Sequence, residues 1–492
     1  MPVQSDPLSA AAGQPMAGEF RVCLVGAGAC GLAIARALRR RGVAYDQVER
    51  HADVGGIWDQ ANPGSPIYDS VHINSSKTMS AFHGFPMPAD FPDYPGHRKM
   101  LAYIKAFAEA YDLQRDIRFG VSVERVVKEN GKWQVELSDG SSGRYDAVVA
   151  ATGFAWHPRL PAWPGTFDGA LIHSSKYRSA EQLHGKRVLV IGAGNSGVDV
   201  ACDAALSAAR AALSMRRGYT FIPKYVFGMP ADVFGKSGEL LPTWIRQRFF
   251  AALLRLLNGD VTRFGLKKPD HLPLSSHPII NSAALLHMAQ GDLVPKPDVE
   301  RFEGREVVFG DGSREAFDLV IAATGYVHKV PFADPALLAK DGEESDLFLR
   351  CFSRRDPSFA APGFLEIANG VNPYLDEFAD IIANAFRDMA TGGNKAKEFA
   401  GIVRSDEYGV IGSVRYVESP RHRVYVDTVA VRRSLKRLRR RMGWAPLVDA
   451  AMRPPAGASG PQGLFLPRSS SASSASSSTV GPNGDGASAS SP

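Results

Sequence analysis

Cysteine is scarce in this chain. Four cysteines occur in 492 residues, and no two of them form a C-x-x-C pair. A disulfide framework, a dithiol redox centre and a zinc knuckle all need paired cysteines, so the sequence argues against each of them. The histidines also lack metal-ligand spacing, and no metal site is predicted.

Long apolar runs and a secretory leader are missing as well. No stretch approaches the ~18 consecutive apolar residues that a membrane-spanning helix needs. Residues 1–19 have no basic start followed by an apolar core, so we expect a cytoplasmic protein without a membrane span. Residues 448–492 are rich in Ser, Pro and Gly, and both termini are predicted to be disordered.

Acidic residues are slightly outnumbered, which gives a formal net charge of +6. The excess is local, because residues 432–441 contain seven basic side chains in ten. No aromatic residues are interleaved with this run. A solvated helix face therefore explains it better than nucleic-acid binding does.

One supersecondary unit occurs twice in the chain. An apolar strand, a glycine turn and a helical segment begin at Arg21 with R-V-C-L-V-G-A-G-A-C-G-L and again at Arg187 with R-V-L-V-I-G-A-G-N-S-G-V. Each copy is followed by a predicted hairpin meander, with turns at Asn130-Gly131 in the first and Glu303-Gly304 in the second, and then by an A-A-T-G strand. Strands alternating with helices in this way predict an α/β fold with parallel sheets.

Each glycine turn has the G-x-G-x-x-G spacing of a dinucleotide-binding motif, with a strand before it and a helix after it. The first glycine makes the tight turn, the second lets a pyrophosphate approach the helix N-terminus, and the third lets the helix pack on the strand. The predicted cofactor-binding residues are Gly26, Gly28 and Gly31 in the first copy and Gly192, Gly194, Ser196 and Gly197 in the second.

The two copies differ where a ribose would be recognised. The first has Glu49, at 49 − 26 = 23 residues after its first glycine, and a carboxylate there accepts hydrogen bonds from a free ribose 2′-hydroxyl. The second has Arg216, at 216 − 192 = 24 residues, and a guanidinium binds a 2′-phosphate through paired hydrogen bonds. The first copy is therefore predicted to bind FAD and the second NADPH.

From about residue 20 to residue 442 the chain resembles the flavin-containing monooxygenases. The family fingerprint F-x-G-x-x-x-H-x-x-x-(Y/F) is matched by Phe167, Gly169, His173 and Tyr177. Baeyer–Villiger monooxygenases share the architecture, but their fingerprint usually has His-Thr in the middle and closes with Trp. This chain has His173 followed by Ser and closes with Tyr177, which favours the amine- and sulfide-oxygenating branch.

Two further runs carry the resemblance. The run D-V-G-G-I-W, which contains Gly56 and Trp58, resembles the family's flavin-contacting segment, and I-N-S-S-K, which contains Asn74, resembles its N-x-S-K segment. The resemblance implies that Gly56 and Trp58 contact FAD and that Asn74 is the active-site residue beside the flavin. It also implies that His173 and Tyr177 hold the nicotinamide and the interdomain geometry. An ordinary loop residue is the alternative for Asn74, and a core aromatic is the alternative for Trp58.

The activity implied is NADPH- and O₂-dependent oxygenation of a soft nucleophilic nitrogen or sulfur of a small molecule, through a flavin C4a-hydroperoxide. Baeyer–Villiger oxidation of ketones and an NADPH-dependent flavoprotein reductase are the alternatives among enzymes, and a redox-inactive nucleotide-binding sensor is the alternative outside them. The oligomeric state stays open, a homodimer included.

The repeat predicts two dinucleotide-binding (Rossmann-like) domains, with the NADPH domain inserted into the FAD domain. Residues 20–160 and 326–447 are assigned to the FAD domain, and residues 161–325 to the NADPH domain. Residues 218–278 have no counterpart in the first copy and are predicted to cover the nicotinamide side. A membrane-surface helix is the alternative for residues 244–257, because three arginines accompany its apolar residues. Asn372 is predicted as a helix N-cap with Pro373 as the first helical residue.

Overall fold

The computed structural model describes residues 20–236, 238, 241–339, 345–367, 369–405, 407–410, 412, 414–419 and 424–455. The predicted disorder of residues 1–19 and 456–492 lies outside these residues. Residues 448–455 differ from the predicted tail. Asp449–Met452 forms a 3₁₀ turn, and the Met452 side chain is buried.

The strands of the two repeats are accompanied by several short strand pairs. In chain order they are β1 (Arg21–Val25), β2 (Ala44–Glu49), β3 (Ile117–Phe119), β4 (Val123–Glu129), β5 (Lys132–Leu137), β6 (Ser142–Tyr145), β7 (Ala147–Ala150), β8 (Gly165–Phe167), β9 (Ala170–His173), β10 (Arg187–Ile191), β11 (Arg210–Ser214), β12 (Phe221–Ile222), β13 (Tyr225–Val226), β14 (Met229–Pro230), β15 (Ile279–Ile280), β16 (Leu293–Lys296), β17 (Val299–Gly304), β18 (Glu306–Phe309), β19 (Arg314–Ala316), β20 (Leu319–Ala322), β21 (Leu347–Phe348), β22 (Phe352–Ser353) and β23 (Phe359–Ala360).

The α-helices of the described part connect and cover these strands. They are α1 (Ala29–Arg40), α2 (His97–Ala110), α3 (Asn195–Ser207), α4 (Ala231–Lys236), α5 (Thr243–Asn258), α6 (Ala284–Gln290), α7 (Asn372–Thr391), α8 (Asn394–Val403) and α9 (Thr428–Met442). Among the residues with described coordinates, no helix is both long and apolar enough to cross a bilayer.

The first sheet combines strands that precede the second repeat with strands that follow it in the sequence. Its strand order is β21-β22-β23-β7-β1-β2-β3, and β1 pairs in parallel with both β2 and β7. β23, which follows the second repeat in the sequence, pairs in parallel with β7. Apolar side chains of α1, α2, α7 and α9 share one core, represented by Leu32, Ile104, Phe378 and Leu435.

The second sheet belongs to the second repeat. Its strand order is β16-β11-β10-β20-β9, and β10 pairs in parallel with β11 and β20 just as β1 pairs with β2 and β7. The strands that form this sheet lie in the sequence between β7 and β21 of the first one. This topology confirms the predicted α/β fold, with one dinucleotide-binding unit inserted into another.

The hairpin turns followed their sequence signals, with one exception. Asn130 and Gly131 form the two-residue turn between β4 and β5, with φ of 49° and 80°. In the second meander Glu303 pairs with Glu306, so the turn is Gly304-Arg305 and the predicted Glu303-Gly304 turn is wrong by one residue. The reason is tertiary, because β8 pairs with the other edge of β17 through Gly304 and extends that strand.

Candidate functional site

The first glycine turn is fixed by backbone packing. Gly26 has φ of 105°, and a Cβ there would lie 2.6 Å from the carbonyl oxygen of Ala151. A Cβ on Gly31 would lie 2.0 Å from the carbonyl oxygen of Gly26. The start of α1 can therefore approach β1 and the first A-A-T-G strand only with glycine at both positions.

The second glycine turn repeats these contacts. Gly192 has φ of 107°, and a Cβ there would lie 2.5 Å from the carbonyl oxygen of Ala323. A Cβ on Gly197 would lie 2.0 Å from the carbonyl oxygen of Gly192. Gly28 and Gly194 each immediately precede a helix and have extended backbone, which is the arrangement that presents helix N–H groups to an anion.

Glu49 and Arg216, the residues predicted to recognise the two riboses, lie at the ends of β2 and β11. Glu49 ends β2, and its carboxylate accepts hydrogen bonds from the backbone N–H of Ala27 at 2.6 Å and of His51 at 2.9 Å. Glu49 is thereby held against the first glycine turn. Arg216 follows the end of β11 and is exposed, and its side chain makes no hydrogen bond or ion pair with any described residue. It is available to a phosphate.

Gly56 approaches the first turn closely. A Cβ on Gly28 would lie 3.4 Å from the Gly56 Cα, and Gly56 itself has φ of 58°. Trp58 ends the same 3₁₀ turn and is half-buried beside the first core. Asn62 donates its amide to the Gly56 carbonyl oxygen at 3.2 Å.

Buried polar atoms around this turn fit an absent ligand. Three buried atoms have no hydrogen-bond partner among the residues that the structure describes: Asn62 Oδ1, Gln47 Oε1 and Thr152 Oγ1. Gln47 contacts Gly26 through its amide, and Thr152 lies beside Gly26 in the A-A-T-G strand. Buried polar groups in folded proteins are nearly always satisfied, so a polar group such as a dinucleotide is expected to complete this site. The residues present fit FAD.

The loop around Asn74 is held by contacts to distant segments. Ser76 donates both its backbone N–H, at 2.6 Å, and its hydroxyl, at 3.0 Å, to the buried Asp232 carboxylate of α4. Ser75 bonds to the Ser80 hydroxyl at 2.7 Å. Asn74 itself is half-buried, and its side-chain amide has no partner among the described residues. The loop is thus fixed while the Asn74 amide stays free.

Helix α7 starts against this loop. The helix begins at Asn372, so Asn372 is not its N-cap as predicted, and Pro373 lies in the first turn. The Asn372 amide donates to the Ser80 carbonyl oxygen at 2.8 Å, which draws it into the helix instead of leaving it to cap the helix. The signal for a helix start was right, and tertiary contact with the loop shifted its first residue.

His173 and Tyr177 hold protein segments together. His173 Nδ1 accepts from the Ser175 backbone N–H at 3.1 Å, so its Nε2 carries the proton and donates to the Gly325 carbonyl oxygen at 3.0 Å. Burial lowers the pKa of His173, which keeps the ring neutral. Tyr177 is fully buried and donates its hydroxyl to Asp203 at 2.8 Å.

A polar cluster between the two sheets was missed by sequence reasoning. Asp199 and Asp203, one turn apart on α3, face residues from the first unit. The Tyr68 hydroxyl donates to Asp199 at 3.3 Å, and the Ser70 hydroxyl donates to Asp203 at 2.5 Å. Two acids at i and i+4 after the second glycine turn were the available signal. Nothing in the sequence indicated their partners, more than 130 residues away.

Burial raises the pKa of Asp199 to about 6, although the Asn281 amide donates to its carboxylate at 2.9 Å. In the unfolded chain this group titrates near 3.8, so its contribution to stability falls as pH rises from about 4 to about 6. We expect Asp199→Asn to stabilise the protein by about 3 kcal/mol at pH 7.5 and by almost nothing near pH 4, at ~1.4 kcal/mol per pH unit. Thermal unfolding of both proteins across this range measures the difference. A gain that does not change with pH would contradict the assignment.

An open cleft lies beside the segment that has no counterpart in the first repeat. Its volume is about 440 Å³. The lining residues come from α5, from the loop before β15 and from the segment before α9: Gln247, His271, Leu272, Ser275, Arg415, Tyr416 and Val417. The backbone N–H of Val417 donates to the Ser275 carbonyl oxygen at 2.8 Å, which joins two of these walls.

These features define a protein with two dinucleotide-binding sites, and its four cysteines are free thiols. The flavin-binding monooxygenase-like family model matches residues 19–433. Human flavin-containing monooxygenase 5 is 31% identical over 447 residues, covering 83% of this chain and 81% of its own. The indole-3-pyruvate monooxygenase YUCCA1 of Oryza sativa subsp. japonica is 33% identical over 321 residues, covering 63% of this chain and 77% of its own.

Solved structures share the fold. The S-allyl-L-cysteine S-oxygenase of Allium sativum has a TM-score of 0.59 at 22% identity and covers 88% of this chain and 91% of its own. An open structure of cyclohexanone monooxygenase has a TM-score of 0.57 at 17% identity, covering 76% and 88%.

The chain belongs to the flavin-binding monooxygenase-like family. It is an FAD-dependent monooxygenase that uses NADPH, and the predictions of enzyme class and of both cofactors are confirmed.

Proposed function

We propose that this monooxygenase uses O₂ to oxygenate a soft nucleophilic nitrogen or sulfur atom of a small molecule. The observation that carries the proposal is the Asn74 amide, which has no partner in the described part of the chain and lies on a loop held by Ser76 and Asp232. Tyr177 closes the fingerprint as in the amine- and sulfide-oxygenating branch. Among the relatives, a human protein named as a putative N-oxide-forming dimethylaniline monooxygenase is 33% identical over 401 residues, and the Allium sativum structure is an S-oxygenase.

Residues 20–160 and 326–447 form the FAD domain in this proposal. The start of α1 would hold the FAD pyrophosphate, because Gly28 lets it approach the helix N–H groups while Gly26 and Gly31 keep the helix close to the turn. Glu49 would accept hydrogen bonds from the ribose. Gly56 and Trp58 contact the cofactor from the adjoining turn. When bound, FAD supplies the redox and oxygen chemistry, and the protein positions it and excludes water.

Residues 161–325 form the NADPH domain. The start of α3 would hold the NADPH pyrophosphate, with Gly194 and Ser196 beside the helix N–H groups. Gly192 and Gly197 let the helix start pack against the turn. His173 and Tyr177 have structural roles in this proposal. His173 joins β9 to the turn at Gly325, and Tyr177 joins the segment that connects the two domains to α3.

Arg216 selects NADPH over NADH through the 2′-phosphate. A hydrogen bond to a charged group contributes about 1.5–3 kcal/mol. We therefore expect Arg216→Ala to lower the ratio of kcat/KM for NADPH over NADH by roughly 10- to 100-fold, mainly through KM for NADPH. Steady-state NAD(P)H oxidation measures the ratio. The matched control is Arg217→Ala. If Arg217→Ala lowers the preference for NADPH more than Arg216→Ala does, Arg217 is the residue that binds the 2′-phosphate.

Residues 218–278 cover the nicotinamide side and supply substrate contacts. The segment reaches the Asn74 loop through Asp232, and the Tyr94 hydroxyl donates to the Lys224 carbonyl oxygen at 2.5 Å. The cleft lined by Gln247 and His271 is the substrate approach in this proposal. Helix α7 begins on the other side of the loop, and we infer that its N-terminus faces the reduced flavin, whose negative charge the helix dipole favours.

The function is tested by measuring oxygen uptake, NADPH oxidation, peroxide and product with amines, sulfides and ketones. Oxygenated amine or sulfide in proportion to NADPH supports the proposal. Esters formed from ketones, without amine or sulfide products, would assign Baeyer–Villiger activity. Turnover that requires an added electron acceptor would assign a reductase.

A further inference from the structure

The cleft beside α5 contains an arginine that no described group neutralises. Arg415 lines the cleft, is exposed, and makes no hydrogen bond or ion pair with any described residue. No carboxylate is among the lining residues that the structure describes. The cleft volume of about 440 Å³ is ordinary for a small-molecule site. The N–H groups of this guanidinium are therefore available to a ligand in the cleft.

The acidic residues near the cleft are engaged elsewhere or lie outside it. Asp270 bonds to Nδ1 of His271 at 2.7 Å. Asp427 caps α9 by accepting a hydrogen bond of 2.7 Å from a backbone N–H of the first turn. Glu418 is exposed and is not among the lining residues. The positive charge of Arg415 is thus left for a ligand of opposite charge.

Neutral donors stand beside this charge in the cleft lining. Burial and the Asp427 carboxylate raise the pKa of Tyr416, and the Arg246 guanidinium opposes the rise. The Tyr416 hydroxyl therefore stays protonated at neutral pH and is able to donate. The Gln247 amide donates to the Ser275 hydroxyl oxygen at 3.0 Å, which leaves the hydroxyl proton of Ser275 for another acceptor. A ligand that is anionic and accepts several hydrogen bonds suits this set of groups.

Packed side chains connect the cleft to the second glycine turn. The Tyr416 ring contacts the Tyr425 ring, with 4.8 Å between the ring centroids, and Tyr425 contacts the His277 ring at 5.7 Å. The Asn195 amide bonds to Nε2 of His277 at 3.0 Å, and Asn195 is the first residue of α3. The wall of the cleft thus adjoins the helix start that is proposed to hold NADPH.

We propose that the small molecule oxygenated by this enzyme carries a carboxylate, which the Arg415 guanidinium binds through two parallel hydrogen bonds. The Tyr416 hydroxyl donates alongside. One unpaired guanidinium lines the cleft, which balances the single charge of a carboxylate better than the charge of nearly −2 on a phosphate ester. This inference rests on the proposed function and adds the substrate class: a thioether or amine with a carboxylate away from the oxygenated atom.

Binding is tested by calorimetric titration of the full-length, FAD-loaded protein with methylthiohexanoate and with its methyl ester, which has the same chain and no charge. Because the acid alone makes the charged hydrogen bonds, we expect it to bind roughly 10- to 100-fold more tightly than the ester. Arg415→Gln should remove this difference and leave the Kd of the ester unchanged. Arg415→Lys keeps the charge without the planar fork and should retain part of the difference.

The matched control is Arg248→Gln, which removes an exposed arginine of α5 that does not line the cleft. It should leave the Kd of both compounds unchanged. The thermal unfolding temperature of Arg415→Gln should equal that of wild type, because Arg415 bonds to no described residue. A change in acid binding without a change in stability then belongs to the ligand contact itself.

Three results would overturn the proposal: equal affinity of the wild type for acid and ester, no binding of the acid, or a preference for the acid that persists in Arg415→Gln. A rise in KM for NADPH in Arg415→Gln, measured without added substrate, would assign Arg415 to the cofactor and also overturn it. Sulfoxide formation with NADPH is measured separately on both compounds. If the acid binds through Arg415 but neither compound is oxygenated, the proposed function fails and the carboxylate site stands.

Discussion

Asn74→Ala should keep FAD bound and continue to oxidise NADPH, but release hydrogen peroxide in place of product. Asn74 makes no hydrogen bond to described residues, so its loss should leave folding and flavin content nearly unchanged. In the proposed function this amide retains activated oxygen until the substrate attacks. A hydrogen bond of this kind contributes about 1.5–3 kcal/mol, so product formed per NADPH should fall roughly 10- to 100-fold.

Two further variants separate the amide from the loop that carries it. Asn74→Asp keeps the shape but loses the N–H donor, and it should uncouple NADPH oxidation as strongly as alanine does. Ser75→Ala removes the hydrogen bond to Ser80 without touching the amide, and it should retain most of the coupling. Unchanged product per NADPH in Asn74→Ala would remove this residue from the mechanism.

Gly197→Ala should abolish efficient use of NADPH while FAD stays bound. The added Cβ would lie 2.0 Å from the Gly192 carbonyl oxygen and 3.0 Å from the Ala323 Cβ, so the start of α3 must move away from the turn. A displacement of ~1 Å at a positioning element can lower the rate about 100-fold. We therefore expect kcat/KM for flavin reduction by NADPH to fall at least about 100-fold, as measured by anaerobic stopped-flow absorbance.

The matched control is Gly401→Ala in α8, where a Cβ would meet nothing within 4 Å. It should leave flavin reduction unchanged and stabilise the protein by about 0.5–1 kcal/mol, because alanine is the better helix former. Gly31→Ala is the counterpart in the first copy and should lose FAD instead. Normal reduction kinetics in Gly197→Ala would show that the second glycine turn does not hold NADPH.

Local patterns predicted the parts of the structure that local sterics govern. Gly26 and Gly192 adopt positive φ where the spacing placed tight turns, and Gly31 and Gly197 are packed against backbone. Glu49 is the last residue of β2, and Arg216 follows the end of β11. Where a long-range contact competed with a local signal, the observed turn or helix start lies one residue from its predicted position. This is so at Gly304, which pairs with β8, and at Asn372, which bonds to Ser80.

The side-chain networks could not be predicted in this way. Ser76 bonds to Asp232, 156 residues away, and Tyr68 bonds to Asp199, 131 residues away. Such bonds depend on two loops approaching within about 3 Å, which no residue spacing records. The free state of the Asn74 amide is a similar case, because it follows from which neighbours its loop has.

The amino-acid sequence by itself determined two dinucleotide-binding units, their cofactors and the family, because glycine spacing, strand hydrophobicity and the charge after the second strand of each unit are local properties. Tertiary structure alone decided how α3 docks on Tyr68 and Ser70, how α4 holds the Asn74 loop, and which face of α5 is left to solvent. Those outcomes depend on packing between segments far apart in the chain, where small differences in distance decide whether a polar group is satisfied and an apolar one is buried.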